Sequence, residues 1–357
     1  MRIVLGVLTL FFLPYCAFGQ EGEAVSGRPP LKIAAVLSLT GPASVHGESM
    51  RKGIELAQRE LKIEGRPVSV AVEDDGTAPL RTVSVVKSLT ARGYKFFVGP
   101  TWSYLVESAG PVFQREGVLA LAPAVSSEEV GGIQPAVFFG TGKSQYKLKP
   151  VIEWLRAQQV KKAAIVYASS RWGEVHGALY KQAAAAAGVE IVALETFNYG
   201  DEEGSIPIIL TKLRGLDVDA LLTTSSKEGA AKIFRVMSEL KMRAKLLSTE
   251  DLLDAARAGI LPAADGRTAA YSLALVTLPD FALKYRQAFG EEPYIYADSA
   301  YDAVRLLTRA YYETDGSVGA VSKYLEDLKG YSGLSGVWVF DRGHDVQKGA
   351  YEIRTVR

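Results

Sequence analysis

Hydroxyl side chains follow the ends of two neighbouring predicted strands in the stretch 95–127. Ser103 stands at the start of a predicted helix, shortly after the strand 95–98, and Ser126 ends the loop that follows the strand 118–121. The carboxyl ends of parallel strands meet at one edge of a sheet, and free helix N–H groups at that edge favour an anion. The pattern therefore predicts a small anion-binding site, although Ser103 as a helix cap and Ser126 as a turn residue would explain it equally.

The sequence contains no recognisable catalytic or metal-binding constellation. Its three histidines, His46, His176 and His344, are far apart and lack carboxylates at metal-ligand spacing. Gly-Thr-Gly-Lys-Ser at 140–144 resembles the end of a phosphate-binding loop, but that motif needs a glycine at the position of Val137. We therefore expect no cofactor and no nucleotide, and an enzyme is the weaker class of function.

The amino terminus resembles a secretory signal. An apolar run follows Met1-Arg2, and Ala17-Phe18-Gly19 provides small residues for cleavage before Gln20. We expect residues 1–19 to be a signal peptide and 20–30 a flexible lead-in, which places the mature protein in the periplasm. Anchoring of a lipid at Cys16 is the alternative, disfavoured by the bulk of Tyr15. Cleavage would leave a mature chain without cysteine.

Composition and element order indicate a large α/β protein. The 357 residues are 48% apolar and carry 41 basic against 40 acidic groups, so nothing indicates binding to nucleic acid or to a polyanionic membrane surface. Strands and helices alternate to the closing strands at 337–340 and 350–355, which predicts parallel sheets. About ten strands fit two lobes better than one open sheet. No feature indicates an oligomer, and we expect a monomer.

Three motifs in this order resemble one known family. They are the stretch 41–61 (GPASVHGESMRKGIELAQREL), with Gly41, Gly47, Gly53 and Ala57 at the family's spacing; FVGPTWS followed by EGVLALAPAVS; and Tyr301-Asp302-Ala303 within a late helix. The chain resembles the type I periplasmic binding proteins, in the branch that serves branched-chain amino acid transporters. The resemblance implies two doubly wound lobes joined by three hinge crossings, with a ligand cleft between them. Lobe one would comprise 31–141 plus 272–330, and lobe two 142–271 plus 331–357.

The resemblance also implies a set of ligand-binding residues. A ligand carboxylate would be held by Ser103 and by the loop Ala124-Val125-Ser126. The acidic residue that faces a ligand ammonium would be Glu250, unless Glu250 or Asp251 only caps the following helix. A carboxylate in that position would make a charge-assisted hydrogen bond to an amine.

Several positions depart from the family pattern. His46 and Trp172 stand where tyrosines are common, Trp102 and Tyr104 flank the serine, and Ser226 lies in a loop of small residues that replaces a tyrosine. The aromatic residues indicate a flat or aromatic ligand, although each could be a packing or rim residue. Lys143 departs as well, either to bind a second carboxylate or as a solvated lysine at a helix start.

The function implied is capture of an amino acid or related small carboxylate by lobe closure, for delivery to an ABC permease in the inner membrane. A ligand sensor of the same fold, which reports to a regulatory partner, is the alternative. A hydrolase that depends on His46 is a remote third possibility.

Overall fold

A computed structural model describes residues 28–130, 135–263 and 268–356. The predicted signal peptide, Cys16 and most of the predicted lead-in lie outside the described residues. Within the described part, no helix is both long enough and apolar enough to span a lipid bilayer.

Strands and helices alternate through most of the described chain, as the sequence predicts. The strands are β1 (Leu31–Leu37), β2 (Val68–Asp74), β3 (Phe96–Val98), β4 (Leu119–Ala122), β5 (Val137–Phe139), β6 (Lys162–Ala168), β7 (Glu190–Phe197), β8 (Ala220–Thr224), β9 (Lys245–Ser248), β10 (Ala270–Leu275), β11 (Tyr331–Gly333), β12 (Gly336–Trp338) and β13 (Tyr351–Val356). The α-helices are α1 (Ser44–Ile63), α2 (Pro79–Ala91), α3 (Ser103–Arg115), α4 (Gln145–Ala157), α5 (Arg171–Ala187), α6 (Glu202–Arg214), α7 (Lys227–Glu239), α8 (Asp251–Arg257), α9 (Pro279–Phe289), α10 (Ala297–Glu313) and α11 (Val318–Glu326). A 3₁₀ turn covers Ser127–Glu129.

The first sheet is entirely parallel, in the order β2-β1-β3-β4-β5. Its interior strand β1 is apolar on both faces because helices cover both. Ile33 and Ala35 pack in the core cluster that includes α1 and α10, whereas Ala34 and Val36 pack in the cluster that includes α2 and α3. Doubly wound packing thus accounts for the uninterrupted apolar run LKIAAVL.

Two glycines of the first motif permit close approach of α1 to its neighbours. A Cβ atom on Gly47 would collide with the backbone carbonyl of Ser38, and one on Gly53 with that of Ala297 in α10. The spacing of these glycines therefore fixes how α1 lies against β1 and α10.

The second sheet has the order β13-β10-β9-β8-β6-β7, and only β13 runs antiparallel to its neighbour β10. Helices again cover both faces. Ala164 and Val166 of β6 pack in the cluster with α6 and α7, and Ala163 and Ile165 in the cluster with α4 and α5. The two sheets and their separate cores give the doubly wound α/β fold expected from the sequence.

Three backbone crossings join the units built on the two sheets. We use lobe one for residues 31–139 and 279–346, and lobe two for 145–275 and 351–356. The crossings lie side by side, because Thr141, Val276 and Gly349 together line a cavity of ≈ 180 Å³.

The positions of the later crossings differ from the sequence-based boundaries. The expected boundary at 271/272 falls inside β10, which is part of the second sheet throughout. The expected boundary at 330/331 precedes the β11–β12 hairpin, but Trp338 and Val346 are buried in the core of lobe one. The carboxylate of Asp302 in α10 accepts hydrogen bonds from Ser335 N–H (2.7 Å) and from the Trp338 indole (3.1 Å), which attaches the hairpin to lobe one.

Candidate functional site

Ser103 begins α3 shortly after the end of β3, as predicted, but it is not the cap of that helix. Trp102 occupies the N-cap position with an extended backbone, and no side chain caps the helix. Among the residues that the structure describes, the partly exposed hydroxyl of Ser103 has no hydrogen-bond partner. The start of α3 therefore offers a hydroxyl and first-turn N–H groups to an anion.

The loop 124–126 after β4 is buried and joined to the first crossing. Ala124 is 9% exposed, and the carbonyl of Val125 accepts a hydrogen bond from the N–H of Thr141 at 3.2 Å. Ser126 is buried and forms a capping box with Glu129, in which its hydroxyl accepts from the N–H of Glu129. The cap alternative therefore does not apply to Ser103, whereas the turn alternative applies to Ser126, which caps the 3₁₀ turn and pairs with Glu129.

His46 links Trp102 in lobe one to lobe two. The indole N–H of Trp102 donates to Nδ1 of His46 at 3.2 Å, so this nitrogen is the unprotonated acceptor. The other ring nitrogen, Nε2, lies 3.1 Å from a carboxylate oxygen of Asp254 in α8, without full hydrogen-bond alignment. Burial lowers the pKa of His46, but the Asp254 carboxylate outweighs burial and raises it above its ordinary value.

Tyr104 lies at the rim of the same turn. Its ring contacts that of Trp102 at 5.9 Å, and its hydroxyl donates to the carbonyl of Thr77 at 3.4 Å. The side chain remains 39% exposed, and burial of the rest raises its pKa to about 12. The position agrees with a rim contact.

Glu250 extends from lobe two to a residue of lobe one. It occupies the N-cap position of α8 without making a cap hydrogen bond, and its carboxylate accepts from the hydroxyl of Tyr296 at 3.0 Å. The same carboxylate is among the charges that raise the pKa of His46. Glu250 therefore lies at the junction of the lobes, close to the His46 side chain.

Asp251, the next residue, holds Glu250 in place by joining two strand ends. Its buried carboxylate accepts from the Ser225 N–H after β8 (2.9 Å), from the Ser248 hydroxyl at the end of β9 (3.0 Å) and from the Thr249 hydroxyl (2.6 Å). Burial raises the pKa of Asp251 to about 7, although these hydrogen bonds oppose the rise.

A buried lysine that the sequence analysis did not single out lies in the same region. Lys147 of α4 is 3% exposed, its Nζ is 3.0 Å from Nε2 of His176, and it is 3.7 Å from a carboxylate oxygen of Glu129 in lobe one. The ring of Tyr351 in β13 lies 5.4 Å from the same ammonium. A cation is thus enclosed between the lobes.

Trp172 lies next to His176, the residue that contacts the Lys147 ammonium. The two rings are 5.0 Å apart, and Nδ1 of His176 is 2.9 Å from the Trp172 carbonyl. A carbonyl only accepts, so Nδ1 carries the ring proton and Nε2 accepts from Lys147. Burial, with the adjacent lysine charge, lowers the pKa of His176 well below its ordinary value.

Ser226 and Lys143 have other partners. Ser226 caps α7, accepting from the Gly229 N–H at 2.9 Å. Lys143 donates to Asp341 at 2.6 Å and lies 3.2 Å from Asp345, in the segment before the third crossing. Lys143 is therefore paired with two carboxylates of the protein, which agrees neither with binding of a second ligand carboxylate nor with a free solvated lysine.

The structure brings Trp102, His46 and Glu250 together and places Trp172 next to His176 and Lys147. The residues that the sequence analysis missed there are Glu129, Lys147, His176 as a lysine partner, Asp254, Tyr296 and Tyr351. Two signals were available. Lys147 shares the buried stripe of α4 with Val151 and Trp154, and Asp254 follows Glu250 by one helical turn.

Two doubly wound lobes, three adjacent crossings and polar side chains that meet between the lobes define the class of two-lobed binding proteins. The family model for periplasmic binding proteins matches residues 30–356, nearly the whole described chain. The chain belongs to this family, which confirms the resemblance read from the sequence.

Curated relatives share about a quarter of their residues with this chain. The leucine-, isoleucine-, valine-, threonine- and alanine-binding protein of Pseudomonas aeruginosa is 25% identical over 192 residues, 52% of each chain. The Leu/Ile/Val-binding protein homolog 1 of Brucella melitensis is 25% identical over 291 residues, 77% of this chain and 76% of the relative. The first match thus spans about half of that relative's length.

Solved structures confirm the fold. The branched-chain amino acid transporter substrate binding protein LivJ from Streptococcus pneumoniae, in complex with isoleucine, has a TM-score of 0.76 at 23% identity and covers 92% of this chain and 100% of its own. A solute binding protein from R. palustris in complex with benzoate has a TM-score of 0.75 at 19% identity, covering 92% and 94%.

Proposed function

We propose that this protein is an exported solute-binding receptor that captures an amino acid or related small carboxylate between its lobes. Delivery to an ABC permease in the inner membrane would follow, without chemistry on the ligand. The observation that carries the proposal is the set of buried polar contacts between the lobes, Glu250 with Tyr296 and His46 with Asp254. Because these contacts join separate lobes across the crossings, lobe closure can be coupled to capture.

The neighbouring groups support an anionic ligand. The hydroxyl of Ser103 and the first-turn N–H groups of α3 are available without a cap, and Trp102 adjoins them. Among proteins of similar fold, one was solved with isoleucine and another with benzoate. Both ligands carry a carboxylate next to an apolar body.

A thermal-shift screen of small metabolites tests the proposal. A ligand present at a hundred times its dissociation constant adds about 2.7 kcal/mol of apparent stability. We expect carboxylates with an apolar or aromatic tail to raise the melting temperature and sugars to leave it unchanged. A screen in which only sugars or cations stabilise the protein would contradict the proposal.

Transport is tested separately in the producing cell. Deleting the protein should abolish uptake of the ligand that stabilises it most, and the ligand recovered from the purified complex should be chemically unchanged. Normal uptake after deletion would contradict the delivery step, and a modified ligand would contradict the absence of chemistry.

A further inference from the structure

The enclosed cation Lys147 bears on which carboxylates the site accepts. Its side chain is 4% exposed, and it extends from α4 of lobe two to Glu129 of lobe one, whose side chain is 7% exposed. A lysine so fully removed from water is expensive unless its charge is compensated. The ammonium is therefore a structural component of the interface between the lobes.

The ammonium is compensated by charge more than by hydrogen bonds. It has three N–H groups, and His176, held as a neutral acceptor by the Trp172 carbonyl, takes one of them at 3.0 Å. The Glu129 oxygen at 3.7 Å is an ion-pair partner beyond ordinary hydrogen-bond distance. Among the described residues, the ammonium thus has one hydrogen-bond acceptor for its three N–H groups.

Glu250 belongs to the same electrostatic group. Burial alone would lower the pKa of Lys147, but Tyr351 and the carboxylates of Glu129 and Glu250 raise it above its ordinary value, so the lysine stays protonated. One oxygen of Glu250 also accepts from Tyr296 at 3.0 Å. The carboxylate expected to meet a ligand ammonium thus already accepts from a hydroxyl of the protein and interacts electrostatically with Lys147.

We propose that Lys147, paired with Glu129 across the lobes, supplies from the protein the positive charge of this site, so that the site selects carboxylates without an α-ammonium group. A ligand ammonium at Glu250 would bring a second positive charge near a buried cation, and like charges at low dielectric repel strongly. A carboxylate alone would gain from the unused donors of Lys147. This inference rests on the proposed function and narrows its ligand class.

Calorimetric titration with matched ligand pairs tests the selection. The pairs are 4-methylpentanoate with L-leucine and 3-phenylpropanoate with L-phenylalanine, which differ only in the α-ammonium group. The full chain should bind the member without the amine at least about tenfold more tightly, a difference of about 1.4 kcal/mol. In Lys147→Met this ratio should fall by about tenfold or more, because the cation that repels the amine is gone.

Lys149→Met is the matched control, because Lys149 lies on the same helix and its side chain is 83% exposed. The ligand ratio should be unchanged in this variant. If Lys147→Met does not fold, the double variant Lys147→Gln with Glu129→Gln removes both buried charges at nearly constant size.

Tighter binding of the amino acids to the unsubstituted protein would overturn the inference and leave the proposed function standing. An unchanged ratio in a folded Lys147 variant would overturn it as well. Binding of neither ligand class would overturn the inference together with the carboxylate-receptor proposal.

Discussion

The two faces of the interface between the lobes are built from different chemistry. Around Ser103, the lobe-one face consists of a hydroxyl, helix N–H groups and the indole of Trp102, all neutral donors at the ends of parallel strands, whereas the lobe-one carboxylate Glu129 is paired with Lys147. The lobe-two face presents full charges, Lys147 and Glu250. Under the proposed function, the first face would position a carboxylate and the second would select by charge.

The supports of the two faces differ in the same way. The lobe-one loop is tied to the first crossing by backbone, from Thr141 N–H to the Val125 carbonyl. The lobe-two face depends on one buried carboxylate, Asp251, which binds the ends of β8 and β9. We therefore expect substitutions and pH to affect the second face more strongly than the first.

The largest expected effect is a pH dependence of stability that originates in Asp251. Burial raises its folded-state pKa to about 7, well above the unfolded value of about 3.9. As pH rises from about 4 to about 7, the unfolded chain ionises first, so this group progressively lowers the free energy of unfolding. The loss is on the order of 4 kcal/mol over that window and constant above it.

Urea unfolding of the unsubstituted protein and of Asp251→Asn between pH 4 and pH 8 measures this contribution. As pH rises across this window, Asp251→Asn should gain stability relative to the unsubstituted protein. The matched control, Asp280→Asn at an exposed position in the first turn of α9, should give a nearly constant difference. A pH-independent difference for Asp251→Asn would show that the carboxyl is not buried as described.

The next largest effect is expected from Lys143→Met, which tests whether Lys143 and Lys147 have different roles. Removing Lys143 leaves Asp345, whose side chain is 1% exposed, without its cation, and should cost about 1–2 kcal/mol in unfolding free energy. Ligand affinity should be retained because Lys143 pairs with Asp341 and Asp345. Loss of binding in a folded Lys143→Met protein would place this lysine in the ligand site and break the comparison.

Ser103 and Ser126 should respond differently to alanine. Ser126→Ala removes a capping box and should cost about 1 kcal/mol of stability. Ser103→Ala should leave stability nearly unchanged and weaken binding of the best carboxylate by roughly tenfold, one hydrogen bond to a charged group. Calorimetry and urea unfolding of both variants test the contrast, and unchanged affinity in Ser103→Ala would remove this serine from the site.

The smallest expected effect comes from the indole nitrogen of Trp102. Trp102→Phe keeps an aromatic ring but loses the donor to Nδ1 of His46, and binding should weaken by about threefold. Trp154→Phe is the matched control, because the buried Nε1 of Trp154 has no hydrogen-bond partner within the described part of the chain. Equal affinity losses in the two variants would show that the ring, and not the hydrogen bond, matters.

Most of the fold was predictable because its signals are local. Apolar runs such as LKIAAVL and the glycine that ends α5 define elements without tertiary information. The position of the third crossing was not predictable, because no local sequence signal shows that the hairpin at 331–338 packs against lobe one. That placement depends on burial of Trp338 and on its hydrogen bond to Asp302, 36 residues earlier.

The positions of the candidate residues were predictable where they depend on a strand end, and less so where they depend on a partner. Ser103 and Glu250 lie shortly after the ends of β3 and β9, where the sequence predicts them. Whether a serine serves as a cap, as Ser126 does, depends on whether a nearby acid completes the box. The role of Lys147 depends on Glu129 and His176, which only lobe packing brings to it.

The central claim, that a carboxylate is captured by closure of the lobes, is tested most directly by measuring the distance between them. Spin labels on Glu107→Cys in α3 and Glu228→Cys in α7, both exposed positions, report it by pulsed electron resonance on a mature chain with no other expected cysteine. The best carboxylate from the thermal screen should shift the distance distribution to one shorter, narrower population. An unchanged distribution at saturating ligand would contradict capture by closure.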